Sequence, residues 1–147
     1  MKNLLLVFAF VTFGIFSFAQ NSGNPLNSYY NVKDALVKSD GKGASVAIQS
    51  FQKDVSNDAT LSKNTALVNA IAKFAAAKNV EKQRAVFNEL STNFWDAVKA
   101  QKGKQTVYYQ YCPMKKGYWL SQNSEILNPY YGSSMLNCGK VVETLNK

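Results

Sequence analysis

Between residues 24 and 101, apolar side chains recur at spacings of three and four, a pattern that only an α-helix turns onto one face. The first such stretch follows Asn24-Pro25, a capping residue and a proline suited to the first helical turn, and carries Tyr29, Val32 and Leu36. Ser39-Asp40-Gly41 is expected to stop it. A second helix begins near Gly43, with Ala44, Ala47, Ile48, Phe51 and Val55 on one side, and Ser56-Asn57-Asp58 turns the chain. A third carries Leu67, Ala70, Ile71 and Phe74 and ends near Lys78. Asn79 caps the fourth, whose stripe is Val80, Phe87, Leu90, Phe94 and Val98, and Gln101, Lys102 and Gly103 close it. Connections this short favour antiparallel neighbours, so the expected fold is mainly α, a four-helix bundle.

The composition changes after Gln105. Thr106-Val107-Tyr108-Tyr109-Gln110-Tyr111 is rich in strand formers, and Tyr118-Trp119-Leu120 is a second short candidate. Lys115-Lys116-Gly117 between them suits a hairpin turn, and Asn128-Pro129-Tyr130-Tyr131-Gly132 a rigid loop. Residues 141–145 read as a short helix or a final strand, too brief to decide. The tail, residues 105–147, is expected to cap the helices as an irregular segment or a β-hairpin.

The chain opens MKNLLLVFAFVTFGIFSFAQ. One positive residue, an apolar run shorter than the roughly 20 residues a membrane span needs, and small residues before Gln20 describe a secretory signal peptide over residues 1–19. Residues 20–147 are then expected to form a single exported helical domain, periplasmic or secreted, with no transmembrane segment. The 17 Lys and Arg outnumber the 9 Asp and Glu for a formal net charge of +8, which drops by one when Lys2 leaves with the leader. Arg84 is the one arginine, poor equipment for gripping phosphates, and the lysines are scattered, so nucleic acid is not an expected partner.

Histidine is absent. Ser-His and Cys-His nucleophilic pairs are therefore excluded, as is any zinc site that needs imidazole. The acidic residues are spread over helix faces without an acid–base pair, no glycine-rich phosphate loop is present, and there is no Cys-x-x-Cys. The chain does not read as an enzyme.

What remains is sulfur. Both cysteines and every methionine beyond Met1 lie in the tail, as Cys112 with Met114 and Met135 with Cys138. Copper(I) is a soft ion that prefers thiolate and thioether donors. Residues two apart on a strand, or three apart on a helical turn, share a face, so each pair can aim together. Trp119 and Tyr111 lie close enough in sequence to stand behind such a site. The alternative is a Cys112–Cys138 disulfide with the methionines as packing, as an exported protein with two cysteines commonly has. The two are compatible, since a reducible bond can alternate with a metal-loaded dithiol.

The tail is similar to a family of secreted domains of unknown function from Gram-negative envelopes, which occur alone or fused to the periplasmic adaptors of copper and heavy-metal efflux pumps. The resemblance rests on Tyr111-Cys112-Pro113-Met114, Trp119-Leu120-Ser121, Glu125-Ile126, Asn128-Pro129-Tyr130-Tyr131-Gly132 and Met135-Leu136-x-Cys138-Gly139. Upstream it extends to residues 30–36 and to Gln83-Arg84 with Phe87, Leu90 and Ser91. It implies a role in copper or heavy-metal handling, with Cys112, Met114, Met135 and Cys138 as the ligands and an efflux adaptor or other envelope metal protein as the partner. Having no pump domains, this chain would bind, store or deliver the ion. The competing expectation is a disulfide-stapled interaction domain that binds no metal.

Overall fold

The structure, a computed structural model, describes residues 23–101 and 105–146. The expected leader over residues 1–19 and the Lys102-Gly103 helix stop lie outside them. Four helices come first: α1 (Pro25–Val37), α2 (Gly41–Asn57), α3 (Thr65–Ala75) and α4 (Val80–Ala100). Each starts with the same device, a short polar side chain that accepts one of the amide protons a helix leaves unpaired. Asn24 accepts from Leu26, Asp40 from Gly43, Asn64 from Leu67 and Asn79 from Lys82, at 2.8–3.1 Å. Each cap stabilises its helix by about 1 kcal/mol. Asp40, expected to stop the first helix, thus begins the second, and Ser39 makes the corner with a left-handed φ of 57°.

Two boundaries differ from expectation. α3 ends at Ala75, short of Lys78, because Ala76 and Ala77 close it with amide bonds to Ala72 and Phe74. Between α2 and α3 lies a 3-10 turn, Leu61–Lys63, set by Asp58, whose carboxylate accepts the Thr60 and Leu61 amides. The turn drops Leu61 into the core.

The expected apolar stripes meet inside. Tyr29, Val32, Leu36, Ile48, Phe51, Leu67, Ile71, Phe74, Phe87, Leu90 and Phe94 are all buried, whereas Ala47, Val80 and Val98 are half-buried. Each buried large side chain gives roughly 1.5–3 kcal/mol relative to exposure. Tyr29 and Phe51 pack against Phe94 at 5.1 and 4.9 Å between ring centres. Consecutive helices pack on one another, α1 on α2, α2 on α3 and α3 on α4.

The tail is neither irregular nor a lone hairpin. It forms a three-stranded antiparallel sheet of β1 (Val107–Cys112), β2 (Gly117–Ser121) and β3 (Lys140–Leu145), in the order β2-β1-β3. Residues 113–116 make the β1–β2 turn, with Lys116 at a left-handed φ of 54°. The ambiguous residues 141–145 are a strand because β1 offers them its second edge, with Val107 opposite Leu145 and Tyr111 opposite Lys140.

The sheet is fixed to the helices by rings and by hydrogen bonds. Trp95 of α4 stacks on Tyr109 at 4.4 Å. The Asn88 side chain accepts the Tyr118 amide at 2.9 Å. The Tyr29 hydroxyl lies 2.6 Å from Ser91 Oγ and accepts the Leu120 amide at 3.2 Å. One hydrophobic cluster therefore runs from α1 to β2. Among the described residues, no helix is long and apolar enough to cross a membrane.

Candidate functional site

Strand register brings the cysteines together. Cys112 is the last residue of β1 and Cys138 lies just before β3, so the Tyr111–Lys140 pairing sets the two segments side by side. Their sulfurs are 3.2 Å apart and both residues are free thiols. Cys112 is fully buried and Cys138 half-buried.

Gly139 makes this approach feasible. A Cβ there would come within 2.8 Å of Trp119 Cη2 and 3.1 Å of the Tyr111 carbonyl oxygen. Trp119 is fully buried and backs the Cys138 segment, with an edge-to-face contact to Tyr130 at 6.0 Å. Its indole nitrogen is buried and finds no hydrogen-bond partner among the described residues. Tyr111 contributes its main chain. Its ring alternates to the other face of β1 from Cys112 and packs on Tyr118 at 4.5 Å.

The methionines flank the pair differently. The turn after β1 sets the Met114 amide toward both sulfurs. The Met135 carbonyl accepts the Cys138 amide at 3.1 Å, closing the 3-10 turn Gly132–Met135. Both main chains thus touch the cysteine segments, yet the side chains are open to solvent, Met114 at 67% and Met135 at 36%. Neither is core packing.

Two groups the sequence reading left unassigned complete the site. Asn128, fully buried, donates from its side-chain amide to the Cys138 carbonyl at 2.6 Å and accepts the Tyr130 amide at 2.8 Å. Arg84 reaches from α4 to the Pro129 carbonyl at 2.8 Å, the Leu36 carbonyl at 2.7 Å and Ser39 Oγ at 2.8 Å, bolting the loop that carries Cys138 onto the helices. The sequence signals were a lone arginine and an Asn-Pro turn, both within the matching stretches of the resemblance, and neither names a partner.

The two thiols are not equivalent. Burial is the largest influence on Cys112 and opposes its ionisation. The Lys115 amide, the Cys138 thiol, the Asn128 side chain and the Met114 amide together outweigh burial and hold Cys112 below the ordinary thiol range. Cys138 is pushed up, first by its hydrogen bond to Cys112, then by burial and by the Cys112 charge. Of the two thiols, Cys112 is held the more acidic. The lysines that flank it in sequence, Lys115, Lys116 and Lys140, are exposed.

Among the described residues, no group of three or more His, Cys, Asp or Glu side chains is placed to hold an ion. A four-ligand zinc site of the structural kind is therefore not built here. The sulfurs in contact are the two thiols; Met114 and Met135 adjoin them through their main chains.

Residues 26–106 match a family model described as a protein of unknown function (DUF3347). The match covers the four helices from Leu26 on and ends immediately before β1, so Cys112, Met114, Met135 and Cys138 lie outside it. No curated protein and no solved structure matches the chain.

Proposed function

The chain belongs to the DUF3347 family, whose function is unknown, and we propose from its sulfur site that it is an exported soft-metal-binding protein, with copper(I) as cargo. Cys112 and Cys138 hold the ion, and Met114 and Met135 supply thioethers at the solvent side, where the ion enters or leaves. In this reading the protein is not an enzyme. It sequesters or delivers the metal in the periplasm or outside the cell, and its helices, arranged as a four-helix bundle, are the support. The partner is an envelope metal protein such as a heavy-metal efflux adaptor.

The observation that carries the reading is the exposure of both methionines, each a few residues from one cysteine of the thiol pair. Large apolar side chains at the surface of a small protein are ordinary when scattered. Here they are the only methionines beyond Met1, and both adjoin the two cysteines. Cys112, the more acidic of the two thiols, is the readier thiolate donor to a soft cation. Thiolate–metal bonds of about 2.3 Å require the sulfurs to part from 3.2 Å, and Cys138, half-buried before β3, is the side with room to move.

The test is a copper(I) titration of the reduced protein against a chromogenic chelator, beside Met114→Leu/Met135→Leu. The reading predicts stoichiometric binding that the double variant weakens at least tenfold. A protein that takes no copper from a weak competitor defeats it.

The sulfur contact itself favours a second reading. A separation of 3.2 Å needs only closure to about 2.05 Å to form a disulfide. As a stapled interaction module the protein would bind no metal, and its isolated native form would contain no free thiol.

A further inference from the structure

We propose that the sulfur end of the molecule is a docking face for an acidic protein surface: Lys115, Lys116 and Lys140 flank the two cysteines and attract it, and the exposed Met114 and Met135 supply an adaptable apolar contact. The inference rests on reading the Cys112–Cys138 pair as the working end of the molecule, and it names the chemistry of the partner met there.

Charge beside the cysteines has one sign. Residues 107–124 contain no Asp or Glu, and neither do residues 126–142. Lys115 and Lys116 lie in the turn that follows Cys112. Lys140 lies two residues after Cys138, opposite Tyr111 in the β1–β3 pairing. All three are exposed, and among the described residues none forms an ion pair. The tail's glutamates are placed elsewhere. Lys99 holds Glu143 at 3.0 Å, and the Glu125 carbonyl accepts from the Gln110 side chain, two residues up β1 from Cys112. Positive charges left unneutralised around one face steer an anionic surface toward it and repel a cationic one.

Lys116 is kept there against its backbone preference. Its φ of 54° is left-handed, a region that glycine enters freely and lysine does not. Glycine would make this turn more easily, yet the position carries a lysine whose ammonium pairs with no carboxylate among the described residues. Strain retained beside a site points to use of the side chain that bears it.

The apolar side chains at this end fit a protein better than a lipid surface. Those exposed are Pro113, Met114 and Met135, while Tyr111, Tyr131 and Leu136 are half-buried. Elements that lie on membranes present leucines and aromatic rings along an amphipathic helix, and no helix stands here. Methionine, flexible and polarisable, packs against varied protein surfaces.

The experiment adds a short glutamate-rich peptide to reduced, metal-free, nitrogen-15-labelled protein at low ionic strength, where exposed charges are least screened, and reads amide shifts. A lysine-rich peptide of the same length is the counter-probe. The glutamate peptide should shift amides of residues 113–116 and 138–141, and the lysine peptide should shift none of them. Lys115→Glu/Lys140→Glu should weaken the glutamate peptide at least tenfold. Lys53→Glu/Lys63→Glu makes the same change in net charge on exposed residues of α2 and the 3-10 turn after it, and should stay within threefold of wild type. Lys116→Gly separates charge from fold. It relieves the left-handed φ, so its urea midpoint should be no lower than that of wild type, while its peptide affinity falls at least threefold. Shifts spread evenly over the surface, an equal loss in the two charge-reversed proteins, or wild-type peptide affinity in Lys116→Gly overturns the proposal. So does co-sedimentation with phosphatidylglycerol vesicles that Lys115→Glu/Lys140→Glu alone abolishes, which would give the face to lipid. No copper enters these measurements, so the two readings fail separately. A protein that docks the peptide but takes no copper in the chelator titration keeps this face and loses its cargo, and one that takes copper without docking the peptide loses only this partner.

Discussion

At Gly139 the site tolerates no side chain. A methyl group there would press on Trp119, on the Tyr111 carbonyl and on Ile126 Cγ2 at 3.2 Å, and none of these can withdraw without opening the sheet. Gly139→Ala should destabilise the protein by about 1–3 kcal/mol, the range for overpacking a filled site, read as a lower urea midpoint. Cys138 governs its neighbour electrically. Its thiol is one of the donors that hold Cys112 below the ordinary thiol range, so Cys138→Ala should move the Cys112 titration upward, seen in thiolate absorbance against pH. The sign follows from Cys112 being an acid whose folded value is depressed. Its contribution to stability is complete above the unfolded thiol value, about 8.5, and is lost as pH falls through the folded one. At this scale the sequence was half legible. Cys112, Met114, Met135 and Cys138 stood out because sulfur is scarce in the chain, and of the four the structure brings the two cysteine sulfurs into contact. That Arg84 ties the loop to the helices depends on contacts 45 and 48 residues apart, and that Asn128 holds the Cys138 carbonyl on one 10 residues away, neither of which a local pattern encodes.

Elements were more legible where local chemistry decides them. Asn24 and Asn79 announce two helix starts, because a capping side chain acts within three residues of itself. β1 and β2 were visible through their tyrosines and the Lys115-Lys116-Gly117 turn. β3 was not, because Lys-Val-Val-Glu-Thr-Leu has no strong period of its own and becomes a strand by pairing with β1. The joint between helices and sheet is likewise a product of tertiary contact. Tyr29 stands at its centre, giving its ring to Phe51, Phe87 and Phe94 and its hydroxyl to Ser91 and Leu120. Tyr29→Phe keeps the ring and leaves the Leu120 amide unpaired in the core. It should cost about 1–3 kcal/mol, measured by thermal or denaturant unfolding, and hydrogen exchange at Leu120 should accelerate more than at mid-α2 amides.

For the whole molecule, the helices and sheet share one core, and the two cysteine sulfurs sit where the tail folds back on itself. A Cys112–Cys138 bond would close a loop of about 26 residues and stabilise the protein by about 3–4 kcal/mol in the chain-entropy account. Oxidised protein should therefore unfold at higher urea than reduced protein, and Cys138→Ala should resemble the reduced form in both conditions. The central claim concerns what else those sulfurs hold. It is met most directly by X-ray absorption at the copper edge on protein loaded with copper(I) under reducing conditions and passed through a desalting column. The account predicts retained copper with a first shell of sulfur alone, depleted when Met114 and Met135 are leucine and absent when Cys112 is alanine. Copper lost on the column, or retained in a shell of nitrogen and oxygen, would contradict it.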